Sequence, residues 1–194
     1  MRLTLGKIGW GAVGALFLMT PLFASTSKAE IKTDQTPTHN WAYAEEASGL
    51  LQEIRSLSAR AAESTARLDS ASRGNQLHWR SHSEHLTEIK SHVNAMGEKF
   101  NRLQEIHGMI APWQQKAVER VLPNAVALAD HTQGALVYLN ENQNRLWASP
   151  YKDRLSAMSD HVQEMHSTLK SFLDYGKTSD RLKALELEIE YAGA

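Results

Sequence analysis

The sequence predicts an all-α protein: an up-down-up-down four-helix bundle of long heptad-patterned helices with a short C-terminal fifth helix. Two observations favour this fold. Apolar and small residues recur three and four positions apart over four long stretches, which is the period of a buried helix face. Short breaks containing glycine, proline or asparagine separate these stretches, and short breaks favour antiparallel neighbours within one chain.

The first 29 residues have the three-part layout of a signal peptide, with basic residues, an apolar run and a small-residue end. The apolar run covers residues 8–23, and Pro21 lies near its end. It is shorter than the ~20 residues that a membrane-spanning helix needs. Ser27 and Ala29 place small side chains before a cut that follows Ala29. We expect cleavage and export to the periplasm or beyond, with an uncleaved membrane anchor as the alternative.

Charge and cysteine content limit the partners and the chemistry. The 194 residues suit one domain and contain no cysteine, so neither a disulfide nor a lipidated cysteine can form. Loss of residues 1–29 would leave 18 basic and 22 acidic residues, a net charge of −4 with neutral histidines. Nucleic acid is therefore not expected as a partner.

Residues 40–176 are assigned to the four-helix bundle. Residues 30–39 before it are polar and lack a helical period, which predicts a flexible lead. The four apolar series run from Ala44 to Leu68, from Trp79 to Leu103, from Val118 to Leu146 and from Leu155 to Phe172.

Glycine and proline predict where the helices begin, bend and end. Gly108 is expected to follow the second helix, and Pro112 to open the third. Pro123 lies inside the third series and predicts a kink there, because proline removes a helix hydrogen bond. Pro150 opens the fourth helix, and Gly176 is predicted to end it.

The tail, residues 177–194, is compatible with two periods. Leu182, Leu185 and Ile189 lie on one face of a helix, whereas Leu185, Leu187, Ile189 and Tyr191 alternate as in a strand. A short fifth helix is the expected state in an all-α protein. Strand addition to another protein is the alternative.

Histidines provide the candidate metal ligands. His85, His92, His131 and His161 flank the predicted seams, where a side chain reaches toward the neighbouring helix. Imidazole binds zinc, copper and nickel, so these four residues predict a transition-metal site. The alternatives are solvated or hydrogen-bonded imidazoles and a response to acid pH. No other cofactor is predicted.

Tryptophans are expected at the two ends of the bundle. In antiparallel packing, Trp41 and Trp113 share one end, and Trp79 and Trp147 share the other. An indole packs its apolar body and leaves its N–H for water or a carbonyl. These residues are expected to close the bundle ends, with ligand recognition by a tryptophan pair as the alternative.

Known catalytic motifs are missing from the sequence: there is no nucleophile elbow, zinc-protease helix or phosphate loop. We therefore expect a non-enzymatic, structural or protein-interaction role in the bacterial cell envelope, with an unknown envelope protein as partner. The alternative is a histidine-dependent metal-binding or metal-sensing bundle. A membrane contact is expected only if the signal segment is retained, and self-association stays open.

Overall fold

A computed structural model describes residues 42–73 and 78–193, and every regular element in these ranges is helical. The signal peptide predicted over 1–29 and the flexible lead predicted over 30–39 lie outside the described residues. Helices α1 to α4 span Ala44–Arg73, Trp79–Glu105, Pro112–Glu141 and Ser149–Ala192, and one 3-10 turn lies at His107–Met109.

Four helices pack around one shared core. α1 packs against α2 and α4, and α3 packs against the same two helices. None of the helices within the described residues is long and apolar enough to cross a membrane. The bundle is thus held together by side chains that the helices bury against each other.

The residues that the sequence assigns to the core are buried with few exceptions. Leu51, Ile54, Leu86, Ile89 and Leu128 have no exposed surface at all. Each such side chain contributes roughly 1.5–3 kcal/mol on burial. Trp79 and Val93 in α2 and Phe172 in α4 are only partly buried and pack around the edge of the core.

A side-chain network ties the start of α3 to the start of α1. Gln114 is almost fully buried, and its Oε1 accepts a hydrogen bond from the Ala111 backbone N–H over 2.8 Å. Its Nε2 donates to the Ala44 carbonyl at 2.6 Å and to Ser48 Oγ at 2.8 Å. The side chain therefore caps its own helix and joins it to α1.

α3 is one helix from Pro112 to Glu141, and Pro123 lies in its interior. Pro112 lies in its first turn, as the sequence predicts, and Pro150 lies in the first turn of α4. In these positions the missing amide of proline breaks no helix hydrogen bond.

The predicted end of the fourth helix at Gly176, and with it the separate fifth helix, is wrong. α4 continues for 44 residues, from Ser149 to Ala192. Gly176 is buried inside the helix against Trp113: a Cβ added to the glycine would lie 2.6 Å from Trp113 Cζ2. The absence of a side chain at Gly176 therefore allows α3 to approach α4 closely. Gly176 does not adopt the left-handed conformation that ends many helices.

The tail is helical, so the helical period of its sequence is confirmed and the strand period is not. Past Gly176, residues 177–192 of α4 extend the helix by roughly 24 Å at 1.5 Å per residue. All of them are exposed except Ser179, which is half-buried. We refer to residues 177–192 as the α4 extension.

Replacement of Gly176 by alanine should destabilise the fold by about 1–3 kcal/mol, because the added methyl group overlaps the Trp113 ring. Gly97→Ala is the matched control, since Gly97 lies exposed within α2 and a Cβ there meets no atom within 4 Å. That variant should be stabilised by up to about 1 kcal/mol through helix propensity. Chemical unfolding of the two variants measures both changes, and equal stabilisation would contradict the close contact of Trp113 with Gly176.

Candidate functional site

Two of the four predicted metal ligands meet in the structure. His131 of α3 and His161 of α4 stack with ring centroids 5.5 Å apart and an interplanar angle of 19°. His161 Nδ1 lies 3.0 Å from Asn124 Oδ1. Because an amide oxygen only accepts, Nδ1 carries the proton, which leaves Nε2 of neutral His161 with a free lone pair.

His131 has an unsatisfied nitrogen. Its Nδ1 is buried and has no hydrogen-bond partner among the described residues. Burial lowers the pKa of His131, and the neighbouring His161 and Arg154 lower it further, whereas Asp130 acts in the opposite direction. The imidazole is therefore held toward its neutral form, which is the form that ligates metals.

A cationic group lies beside this histidine pair. The half-buried guanidinium of Arg154 takes the space that a Cβ of Gly134 would fill, so the glycine permits its position. Arg154 also forms no ion pair with any side chain in the described ranges. The local charge thus opposes a bound cation, although the two imidazoles alone would favour one.

The other two predicted ligands lie on α2, whereas this pair joins α3 to α4. His85 Nδ1 is 3.9 Å from Glu88 Oε2 one turn along the same helix. His92 lines a shallow surface groove with Glu84 and Glu88. Within residues 42–73 and 78–193, no three histidine, aspartate or glutamate side chains gather closely enough to hold a metal ion. The four-histidine metal site stays a prediction, and two of its four residues, His131 and His161, are in contact in the structure.

A buried histidine–tyrosine pair joins α2 to α4, and the sequence does not predict it. His82 Nδ1 and Tyr151 Oη are 2.8 Å apart, and neither side chain has exposed surface. Burial lowers the pKa of His82 and raises the pKa of Tyr151, so both groups are neutral at physiological pH. Tyr138 of α3 stacks on Tyr151 at 5.6 Å. The only signal in the sequence is His82 itself, a polar residue within the apolar series of α2.

The tryptophans of the α2 and α4 starts lie together. Trp79 and Trp147 line one open groove with His78, Gln143, Asn144 and Leu146. Their shared end is confirmed, whereas Trp41 lies outside the described residues. Trp147 is 63% exposed, so it does not close the bundle end. None of the described residues that line the groove is an acid, a lysine or an arginine.

The α4 extension carries the largest set of exposed apolar side chains in the described chain. Leu182, Leu185 and Ile189 lie three and four residues apart on one helix face and are 56%, 45% and 72% exposed. Leu187 and Tyr191 lie on another face and are 55% and 84% exposed. Contiguous exposed apolar surface of this kind is typical of interaction sites.

Comparison of the chain with protein-family models, with curated proteins and with solved structures finds no match. The function therefore has to be argued from the residues and their geometry.

Acid should weaken the fold, because the pKa values of His82 and His131 are both lowered in the folded protein. The unfolded chain then binds more protons as the pH falls through the ordinary histidine value of about 6.5. The free energy of unfolding should be greatest above this pH and decrease as the solution is made more acidic. Urea titrations at several pH values between neutral and mildly acid measure the decrease.

The variant with His82→Gln and His131→Gln should lose most of this pH dependence. His78→Gln is the control: it changes a histidine that is exposed at the start of α2, and it should keep the wild-type dependence. The same slope in all three proteins would contradict the assignment of acid sensitivity to the two buried imidazoles.

Proposed function

We propose that the chain is an exported, non-enzymatic helical-bundle protein of the bacterial cell envelope with a structural or protein-interaction role. The observation that carries the proposal is the α4 extension, a helix that projects from the bundle with three leucines, an isoleucine and a tyrosine exposed. The proposed interaction surface is this extension.

Exposure of these side chains is costly unless another surface covers them. Burial of apolar surface contributes roughly 25 cal/mol per Å², so covering several large side chains contributes several kcal/mol to an association. A free helix of this length is marginal in water because its first turn is costly to form. The folded part of α4 provides that turn, so a partner meets a helix that is already formed.

Up-down-up-down topology with heptad seams is part of the proposal. Gln114 at the start of α3 bonds to the start of α1, and His82 at the start of α2 bonds to the start of α4. These contacts support alternate helices that begin at the same end of the bundle. Such a bundle is a rigid base from which the extension projects.

Export is supported by the sequence of residues 1–29, with its short apolar run and small-residue end. The chain contains no cysteine, so no disulfide can form in it after export to an oxidising compartment. The proposed partner is consequently an envelope protein that presents an apolar groove or helix on the outer side of the inner membrane.

A photo-crosslinking amino acid placed at Leu185 in the full chain, expressed in a bacterial cell, tests the proposal. We expect one or a few crosslinked products of defined mass in the periplasmic fraction, and the uncrosslinked protein should have the mass of residues 30–194. Gln163 is the matched control, because it is an exposed residue of α4 within the bundle.

Equal crosslinking at Leu185 and Gln163 would show that the extension is not a preferred surface. An uncut protein confined to the cytoplasm would overturn the export part of the proposal.

Metal binding is a second candidate function, favoured by the stacked His131 and His161 and by the His131 Nδ1 that lacks a partner in the described ranges. Two imidazoles provide two ligands, so water or another molecule would have to complete a tetrahedral zinc site. The buried Nδ1 of His131 and the free Nε2 of His161 are the candidate donor atoms.

Elemental analysis of the exported protein, purified without chelators, tests the metal candidate. The candidate predicts near-stoichiometric zinc, copper or nickel that is lost in the His131→Gln, His161→Gln double variant. The exposed His78→Gln variant should retain the metal. A metal-free wild-type protein that takes up none of the three ions in dialysis would rule this function out.

A further inference from the structure

The apolar stripe of the α4 extension is out of phase with the inward face of α4. That inward face is buried as far as Gly176, one of the last of its residues to pack against the bundle. If the inward face continued with the same spacing of three and four residues, its next members would be Asp180, Lys183 and Leu187. All three side chains are exposed, and the first two are charged. The exposed apolar stripe does not follow this series, because it starts one residue before Gly176. It begins at Tyr175, just before the extension, and continues through Thr178, Leu182, Leu185, Ile189 and Ala192.

The stripe precedes the continued inward face by one and two residues in turn, which rotates it by about 150° around the helix axis, since each residue of an α-helix turns by about 100°. The stripe therefore does not face the direction in which α4 buries its core residues. Its spacing of three and four is that of a seam between two helices. The described part of the chain leaves it exposed, so a helix that covered it would come from outside the described residues.

Charge is segregated along the same helix. Its first half, residues 177–183, contains Lys177, Arg181 and Lys183 with one acid, Asp180, and its second half contains Glu186, Glu188 and Glu190 with no base. A helix of this kind is complementary to a copy of itself that runs in the opposite direction. A parallel copy would instead place acidic half against acidic half, which is unfavourable.

We infer that the extension pairs antiparallel with the extension of a second copy of this chain, so that the protein is a two-fold symmetric dimer. The inference rests on the proposed function, which makes the extension the interaction surface, and it identifies the occupant. In a two-fold interface the same surface of each copy meets its counterpart, so the surface has to be complementary to itself. The segregated charges and the single apolar stripe both satisfy this requirement.

One register satisfies both the stripe and the charges. Leu182 packs against Leu185 of the second copy, and Thr178 packs against Ile189 of the second copy. Arg181 then lies beside Glu188 of the second copy, and symmetry repeats each of these contacts. The two bundles lie at opposite ends of the shared helix pair, because each bundle begins where the other extension ends.

Charge reversal tests the pairing in solution. The acid-to-lysine variant (Glu186→Lys, Glu188→Lys, Glu190→Lys) has an almost wholly basic extension. The base-to-acid variant (Lys177→Glu, Arg181→Glu, Lys183→Glu) has a wholly acidic one. In sedimentation velocity over a range of concentrations, the wild type should be a dimer and each variant alone a monomer. An equimolar mixture of the two variants should restore the dimer.

The cysteine-free sequence permits a test of direction by disulfide crosslinking. In the antiparallel register, Ile189 of one copy lies roughly 16 Å along the axis from Ile189 of the other, beyond the ~7 Å between Cα atoms that a disulfide spans. Ile189→Cys alone should therefore not crosslink, and neither should Thr178→Cys alone. A mixture of the two should form a mixed disulfide, whereas a parallel pair would give the reverse pattern.

Two controls separate loss of pairing from loss of fold. Val126→Ser and Val137→Ser remove exposed apolar side chains from α3, and they should leave the dimer unchanged. All charge-reversal variants should keep the far-UV circular dichroism and unfolding midpoint of the wild type, because every changed residue is exposed.

The failure of the inference can be told from the failure of the proposed function. A monomer at all concentrations, with Leu185 crosslinked in cells to a different protein, would overturn the dimer and leave the interaction role in place. A monomer without any crosslink at Leu185 would overturn both. A dimer that survives both charge-reversal variants would contradict pairing through the extension.

Discussion

The contact between Trp113 and Gly176 is the constraint on which the rest of the architecture depends. Trp113 lies in the first turn of α3, and its ring occupies the space beside Gly176 in α4 that a side chain would otherwise take. The missing Cβ lets the two helices approach, and it lets α4 pass through Gly176 without a turn. A chain that turned at this residue would place the tail elsewhere. The α4 extension therefore begins directly after a tight aromatic contact.

The sequence predicts the core of the bundle well because burial follows local spacing. The apolar series assigned to α1 and α2 include Leu51, Ile54, Leu86 and Ile89, all fully buried. Gly176 is the instructive failure. A glycine that ends a helix and a glycine that admits a neighbouring ring have the same local sequence, and only the position of Trp113, a residue of another helix, distinguishes them.

The candidate sites are harder to predict, because they depend on distances between helices. The position of His131 and His161 beside the seams indicates that they reach across an interface, and they do meet. The same reasoning gives no way to tell that, within the described residues, neither His85 nor His92 joins them in a group of three ligands. The His82–Tyr151 hydrogen bond is missed for a related reason: Tyr151 precedes the apolar series of α4, so nothing in the local pattern marks it as buried.

Buried polar side chains find partners inside the bundle, whereas the exposed apolar side chains of the α4 extension have none in the described residues. Buried Thr132 bonds to the Leu128 carbonyl of its own helix, and buried His82 bonds to Tyr151 through Nδ1, while its Nε2 is buried without a partner among the described residues. The buried inward face of α4 does not continue past Gly176, and the helix nevertheless goes on with a second stripe in a new phase. Since the fold does not need this stripe for its own core, its apolar residues and segregated charges are best explained as the specification of a second helix outside the bundle.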